Sequence, residues 1–308
     1  MWGGPVARIA NFSAFNLALA NLIFGTIGLF AVQSALSPFA TVFWRCVFAT
    51  AFLLTWCIAF RYLKPAKLSP KLLLLAAIGG VGNIGSSVAL FGAYRYTTIG
   101  TATIVYHIQP FFVVLIGGLV FKEAVMPAEM FWIAIAFSGL VLCTGLVGTL
   151  ASGDSSWYLG VGLSLVAALL YAVGTIIGKG LGEQRPEITT LMQTVVGTLL
   201  LAPFAELLQP VPNASWKWLV SLGVLHTGVA YVLMFSAYPH LRTPVIGILA
   251  FLFPLTAILV DWLAFGKALQ PIQWLGLTLI ILGTLGVQLA WRPRLRRCSV
   301  TPHPPELK

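Results

Sequence analysis

Long apolar runs separated by short polar segments dominate the pattern of this chain of 308 residues. Each run is about 20 residues long, the length that a helix needs to cross the hydrocarbon core of a bilayer. Since backbone polar groups in lipid must be satisfied within their own segment, every run is predicted to be helical. The pattern therefore predicts an all-α integral membrane protein with ten transmembrane helices. The predicted spans are residues 14–36, 38–60, 71–95, 99–121, 127–148, 157–180, 187–208, 215–240, 243–265 and 271–291.

An internal repeat organises these spans. Residues 91–139 align without a gap to residues 235–283, and 11 of the 49 positions are identical, among them a central proline and a glycine. A weaker match joins Gly-Thr-Ile at 25–27 in span 1 to Gly-Thr-Ile at 174–176 in span 6. Because each half has five spans, an odd number, the second half must enter the membrane from the opposite face. This predicts an inverted repeat, as in many secondary transporters. The predicted units are a first repeat at 1–148, an inverted second repeat at 149–291 and a basic cytoplasmic tail at 292–308.

Composition and charge support a lipid environment. The chain is 59% hydrophobic and 8% charged, with a mean hydropathy of +0.94, whereas soluble domains carry about 25% charged residues. With ten spans, 14 of the 18 lysines and arginines fall on the side of the N-terminus. The positive-inside rule then predicts that both termini face the cytoplasm. The net charge of +10 is attributed to the positive-inside bias and to contact with anionic lipid, and no nucleic-acid partner is expected.

Two prolines occupy equivalent places near the bilayer centre. Pro110 is the twelfth residue of span 4, and Pro254 is the twelfth residue of span 9. Each proline is expected to free the carbonyl four residues earlier, at Tyr106 and Ala250. The functional interpretation is a pair of hinges beside a central cavity, and the alternative is a purely structural kink.

Polar and aromatic side chains at membrane depth give a candidate substrate site. Thr103, His107 and Pro110 share one helix face, which Tyr106 borders, and a histidine inside the membrane is a functional candidate by default. The alternative is that these groups join helices or fill the core between them. The predicted substrate-binding residues are Asn83, Ser87, Tyr94, Thr103, Tyr106, His107, Gln109, Tyr171, His226 and Tyr231.

Few charges lie within the predicted spans. Arg45 lies two turns into span 2, where it binds a substrate carboxylate or, alternatively, reaches the interface or pairs with backbone. Asp261 is one turn from the end of span 9, and Glu123, at the end of span 4, is expected to be a solvated cap. No full charge is therefore expected at the centre of the cavity, which predicts weak binding.

The chain lacks motifs for zinc proteases, Walker loops and serine hydrolases, so neither an enzyme nor a cofactor is expected. A channel or receptor, or a membrane enzyme acting on lipid, are the rival classes. The inverted repeat and the paired prolines favour a secondary transporter with a small-molecule substrate. The pattern is compatible with a monomer.

Several motifs resemble the drug/metabolite transporter superfamily of the EamA type. They are YHIQP at 106–110 and FKEA at 121–124, followed by Pro127 and Gly139, while Trp44-Arg45 is similar to an arginine of that family. Lys267 departs from the pattern, since the family often has a glutamate there. The resemblance implies an inner-membrane exporter of metabolites with ten helices. Within the family the chain is most similar to bacterial aromatic amino acid exporters, which implies that it exports aromatic or bulky neutral amino acids. Another metabolite class is the alternative.

Overall fold

The computed structural model describes residues 5–63, 70–97, 99–144, 155–182, 184–265 and 270–291, and these residues form helices and short connections. The helices are α1 Pro5–Gly25, α2 Ile27–Gln33, α3 Pro38–Ala59, α4 Pro70–Ala93, α5 Ile99–Tyr106, α6 Gln109–Phe121, α7 Pro127–Thr144, α8 Ser155–Gly180, α9 Pro186–Leu201, α10 Trp216–Gly223, α11 Ala230–Ala237, α12 Thr243–Leu249, α13 Leu252–Phe265 and α14 Pro271–Gln288. A π-helical segment, Val224–Val229, joins α10 to α11.

The predicted ten spans are present, and four of them are interrupted. Nine helical stretches of the described chain are long and apolar enough to cross a membrane, and a shorter apolar helix at Pro127–Leu142 supplies the tenth. Span 1 begins earlier than predicted, at Pro5, because proline is suited to the first turn of a helix. Span 7 ends earlier than predicted: α9 stops at Leu201 and a 3₁₀ turn carries Pro203, whose ring is incompatible with a continuing α-helix.

The major helix contacts cross between the two halves of the chain. Helix α7 packs on α14 and α3 packs on α9, and each pair joins equivalent spans of the two repeats. The repeat relates span 3 to span 8 and span 6 to span 1. The contact of α4 in span 3 with α8 in span 6 therefore corresponds to the contact of α11 in span 8 with α1 in span 1. The two halves therefore interdigitate around an approximate twofold relation, as an inverted repeat requires.

Glycines permit the closest of these crossings. A methyl group built on Gly139 of α7 would lie 2.5 Å from the carbonyl oxygen of Gly276, and one on Gly283 of α14 would lie 2.6 Å from that of Trp132. Small residues at such positions let helix backbones approach, which is how helices associate tightly in lipid.

The paired spans 4 and 9 break at matching positions. Span 4 is interrupted between Tyr106 and Gln109, and span 9 between Leu249 and Leu252, just ahead of the two central prolines. The prediction that the carbonyl of Ala250 is free is wrong. The N–H of Phe253 donates a hydrogen bond to it at 3.2 Å, in the i+3 pattern of a 3₁₀ turn. The local 3₁₀-like turn therefore replaces the lost helical bond. Each half therefore has one helix that is interrupted just ahead of its central proline.

Candidate functional site

A cavity of about 80 Å³ lies between the two halves. Its wall is built by α1 to α6 on one side and by α8, α11 and α13 on the other. Tyr106 and Gln109 flank the break in span 4, Phe253 follows the break in span 9, and Ile27 follows the interruption between α1 and α2. The cavity therefore adjoins three of the points where the helices are discontinuous, and a change at any of these points would alter its shape.

Arg45 brings a full positive charge to this cavity. The residue is 4% exposed, and its Nη2 donates to the hydroxyl oxygen of Ser87 at 3.1 Å. Ser87 in turn donates to the carbonyl of Asn83 at 3.1 Å, so its oxygen is free to accept from the guanidinium. The hydroxyl of Tyr231 also interacts with Arg45. The expectation that no charge lies at the centre of the cavity is therefore wrong, because α3 places the guanidinium in the cavity wall.

Buried amides form the neighbouring part of the wall. Asn83 donates through Nδ2 to Oε1 of Gln193 at 3.0 Å, which links α4 to α9. Asn83 also packs closely on Gly174 of α8, where a larger residue would collide with its side chain. Gln109 is 3% exposed, and its Oε1 has no hydrogen-bond partner within the described part of the chain. The site thus combines amides that are fixed by packing with one acceptor that is left open.

Aromatic rings complete the wall. Tyr106 meets Tyr171 edge to face with ring centroids 6.0 Å apart, and Phe24 meets Tyr231 in the same way at 5.4 Å. Tyr171 also lies 3.4 Å from the hydroxyl of the fully buried Tyr238. These contacts hold the rings in fixed orientations, so the cavity offers apolar faces beside its polar groups.

Six of the ten predicted substrate-binding residues line the cavity, and four do not. The six are Asn83, Ser87, Tyr106, Gln109, Tyr171 and Tyr231. Among the other four, Tyr94 interacts with the side chain of Thr103, away from the cavity wall. The remaining two are histidines buried behind that wall.

Each histidine is packed by neighbouring rings. His107 is fully buried, with Nδ1 2.7 Å from the carbonyl of Thr103 and its ring stacked on Phe253 at 5.2 Å. His226 lies in the π-helical segment, with Nε2 2.8 Å from Oγ1 of Thr26 and its ring 4.6 Å from Phe30. Of the two, His107 contacts a residue of the cavity wall, Phe253, whereas Thr26 and Phe30 beside His226 do not line the cavity. The side chain of Asp261 and the tail at 292–308 lie outside the described residues.

Sequence reasoning missed several lining residues. Phe24, Ser86 and Phe253 belong to the wall, but the chain has 20 phenylalanines and nothing in the sequence distinguished Phe24. Ser86 donates to the carbonyl of Ala167 at 2.8 Å, so it also ties α4 to α8. The position of Phe253 directly before the central proline of span 9 was the available signal. In the described ranges no cluster of three or more potential metal ligands is present.

A charged cluster joins the two halves at the far end of α6, roughly 18 Å along the helix from Gln109 at 1.5 Å per residue. Glu123 accepts hydrogen bonds from Lys179 Nζ and from the backbone N–H and Oγ1 of Thr243, at 2.8 and 2.9 Å for the latter two. Burial raises the pKa of this carboxyl, but the bonds from Lys179 and Thr243 outweigh it and hold the pKa below its ordinary value. The expectation of a solvated cap is wrong, because Glu123 lies in the interface between α8 and α12.

A second ion pair lies beside the first. Arg242 donates to Oε1 of Glu129 at 2.7 Å and to the carbonyl of Ala124 at 2.7 Å. Glu129 also accepts the N–H of Met126 at 2.8 Å. Together the two pairs join the connection between α6 and α7 to residues of the second half of the chain.

The sequence profile of the EamA-like transporter family matches the chain twice, over residues 11–145 and 158–289. The chain is 33% identical over 276 residues to the uncharacterized transporter YxxF of Bacillus subtilis, covering 88% of each protein. It is 26% identical over 171 residues to the threonine/homoserine exporter RhtA of Escherichia coli K12, covering 54% of this chain and 56% of RhtA. A crystal structure superposes with a TM-score of 0.78 at 18% identity, covering 92% of this chain and 99% of the other, which supports the fold alone. This multi-pass membrane protein therefore belongs to the EamA-like transporter family, in the drug/metabolite transporter superfamily.

Proposed function

We propose that this transporter exports amino acids with aromatic or bulky neutral side chains by alternating access through the central cavity. The observation that carries the proposal is the composition of the cavity wall, where Arg45, Asn83 and Gln109 lie beside the rings of Tyr106 and Tyr171. Polar groups suit the amino and carboxylate ends of an amino acid, and the rings suit its side chain. The similarity to an exporter of threonine and homoserine supports the same class of cargo.

Alternating access would use the breaks in spans 4 and 9. Both breaks adjoin the cavity, so rotation of α6 against α5 or of α13 against α12 would open it toward one side. The ion pairs of Glu123 and Glu129 would close the opposite end while the cavity faces outward. His107 would contribute through Phe253, on which its ring stacks.

The proposed location is a bacterial inner membrane, with both termini and the Glu123 cluster in the cytoplasm. The bias of the lysines and arginines toward this side supports that orientation. A reporter fused after Lys67 should be cytoplasmic, and one fused after Asp154 should be periplasmic. Both reporters on the same side would contradict this topology.

Uptake by reconstituted protein tests the function. Proteoliposomes should accumulate labelled phenylalanine, tryptophan or threonine above protein-free liposomes, and Tyr171→Ala should lower the rate about tenfold by removing a ring from the wall. Tyr158→Ala is the matched control, because Tyr158 lies on the same helix, is 62% exposed and is absent from the wall. Movement of another metabolite class with no amino acid transported would overturn the proposed substrate.

A further inference from the structure

Two buried polar atoms in the cavity wall lack partners within the described residues, and they have opposite character. Nε of Arg45 is a donor on a positively charged group, and Oε1 of Gln109 is an acceptor. Both residues are more than nine-tenths buried, and both line the same cavity. A buried polar group without a hydrogen-bond partner is destabilising. The two atoms therefore indicate which chemical groups a ligand must carry in order to hydrogen-bond to both.

Among the described residues, Arg45 has no ion-pair partner. The ion pairs of the described chain are Lys179 with Glu123 and Arg242 with Glu129, and neither includes Arg45. The contacts of its guanidinium, Ser87 and Tyr231, are neutral hydroxyls. An uncompensated buried cation is costly, and a planar guanidinium is suited to a carboxylate. The missing partner at Arg45 is therefore an anion.

The open acceptor of Gln109 requires a donor. Gln109 is the first residue of α6, so the break in span 4 fixes the position of its side chain at the cavity. A simple carboxylate would satisfy Arg45 and leave this oxygen unpaired, and a simple amine would do the reverse. A single ligand that carries both a carboxylate and an ammonium group satisfies both atoms.

We infer that the cavity recognises a zwitterionic α-amino acid, with its carboxylate on the guanidinium of Arg45 and its ammonium group on Oε1 of Gln109. This inference rests on the proposed function and specifies how it selects its cargo. The rings of Phe24, Tyr106 and Tyr171 then receive the side chain. Recognition of both charged ends explains selection for amino acids as a class, while the rings tolerate different bulky side chains.

Binding of four matched ligands to the detergent-purified protein tests the assignment. The ligands are phenylalanine and three analogues. Phenylalaninamide and phenethylamine lack the carboxylate, and 3-phenylpropionate lacks the ammonium group. Wild type should bind phenylalanine at least about tenfold more tightly than each analogue, since hydrogen bonds to charged groups contribute that much or more. Arg45→Gln should abolish the preference over phenylalaninamide and retain the preference over 3-phenylpropionate. Gln109→Met should have the converse effect.

Two further measurements separate binding from folding. Arg95→Gln, which removes an exposed arginine that is absent from the cavity wall, should leave all four affinities unchanged. The melting temperature of ligand-free Arg45→Gln should equal or exceed that of wild type, because the variant removes an unbalanced buried charge. If wild type binds phenylalanine and Arg45→Gln keeps its preference over the amide, the inference falls and the proposed function stands. If wild type binds no amino acid, both fall.

Discussion

Replacement of Glu123 by glutamine removes one negative charge from the interface between the two halves. The side chain of Glu123 is 18% exposed and that of its partner Lys179 is 9% exposed, so the pair is largely shielded from solvent. The neighbouring pair offers a comparison at the same end of the molecule, since the side chain of Arg242 is 48% exposed. The same substitution, in two ion pairs of different burial, isolates the effect of burial.

The expected magnitudes follow from that difference. Breaking a buried ion pair typically costs about 3–5 kcal/mol because one charge is left without a partner. The glutamine amide can still accept from Thr243, so Glu123→Gln should lower the free energy of unfolding by about 2–3 kcal/mol. For Arg242 and Glu129 the coupling energy should be smaller, about 1 kcal/mol, because the arginine is half exposed to solvent although Glu129 is buried.

Two double-mutant cycles measure these couplings. One cycle combines Glu123→Gln with Lys179→Met, and the other combines Glu129→Gln with Arg242→Gln. Reversible unfolding in mixed micelles, followed by tryptophan fluorescence, gives the free energies. We expect a coupling of about 2 kcal/mol in the first cycle and a smaller one in the second. Equal couplings, or a larger coupling between Arg242 and Glu129, would refute the reasoning from burial.

Three further tests probe the pH dependence, the packing and the helix breaks. The pKa of Glu123 lies below its ordinary value of 4.5 in the folded state, so the unfolded chain takes up the proton first as pH falls. The difference in the free energy of unfolding between wild type and Glu123→Gln should be largest near pH 7. It should disappear as pH falls through the pKa of Glu123 in the folded protein, below 4.5. A difference independent of pH would contradict this assignment. Gly139→Ala should lower the melting temperature by several degrees because its methyl group meets a backbone carbonyl, whereas Gly162→Ala, with open space around it, should not; equal shifts would contradict the crossing. Pro110→Ala and Pro254→Ala should each slow transport about tenfold in a folded protein, and unchanged rates would make the breaks incidental.

The fold was predictable because membrane constraints are strict. Length and hydropathy define the spans, and the repeat of 91–139 at 235–283 requires the inverted arrangement. The interruptions were less predictable. Prolines mark two of them, but the π-helical segment around His226 depends on packing between distant spans. The repeat also did not indicate that span 7 would end before Pro203.

The candidate site was only partly predictable, because helix rotation decides which side chains reach the cavity. Six residues chosen for polarity or aromaticity line it, yet the two histidines pack behind the wall. The depth of Arg45 in span 2 gave no indication that its guanidinium would meet Ser87 of α4. Glu123 looked solvated because its partners Lys179 and Thr243 lie in the other half of the chain. Long-range pairings of this kind leave no local signal.

Blocking the cavity tests the central claim, that cargo crosses through the space between the halves. Ser87→Trp places an indole in the cavity wall, and Ser138→Trp adds the same ring at an exposed position on α7. Both variants should be purified as folded monodisperse protein and compared with wild type in counterflow of labelled phenylalanine. We predict that Ser87→Trp loses counterflow and that Ser138→Trp retains it. Full counterflow by a folded Ser87→Trp protein would contradict passage through this cavity.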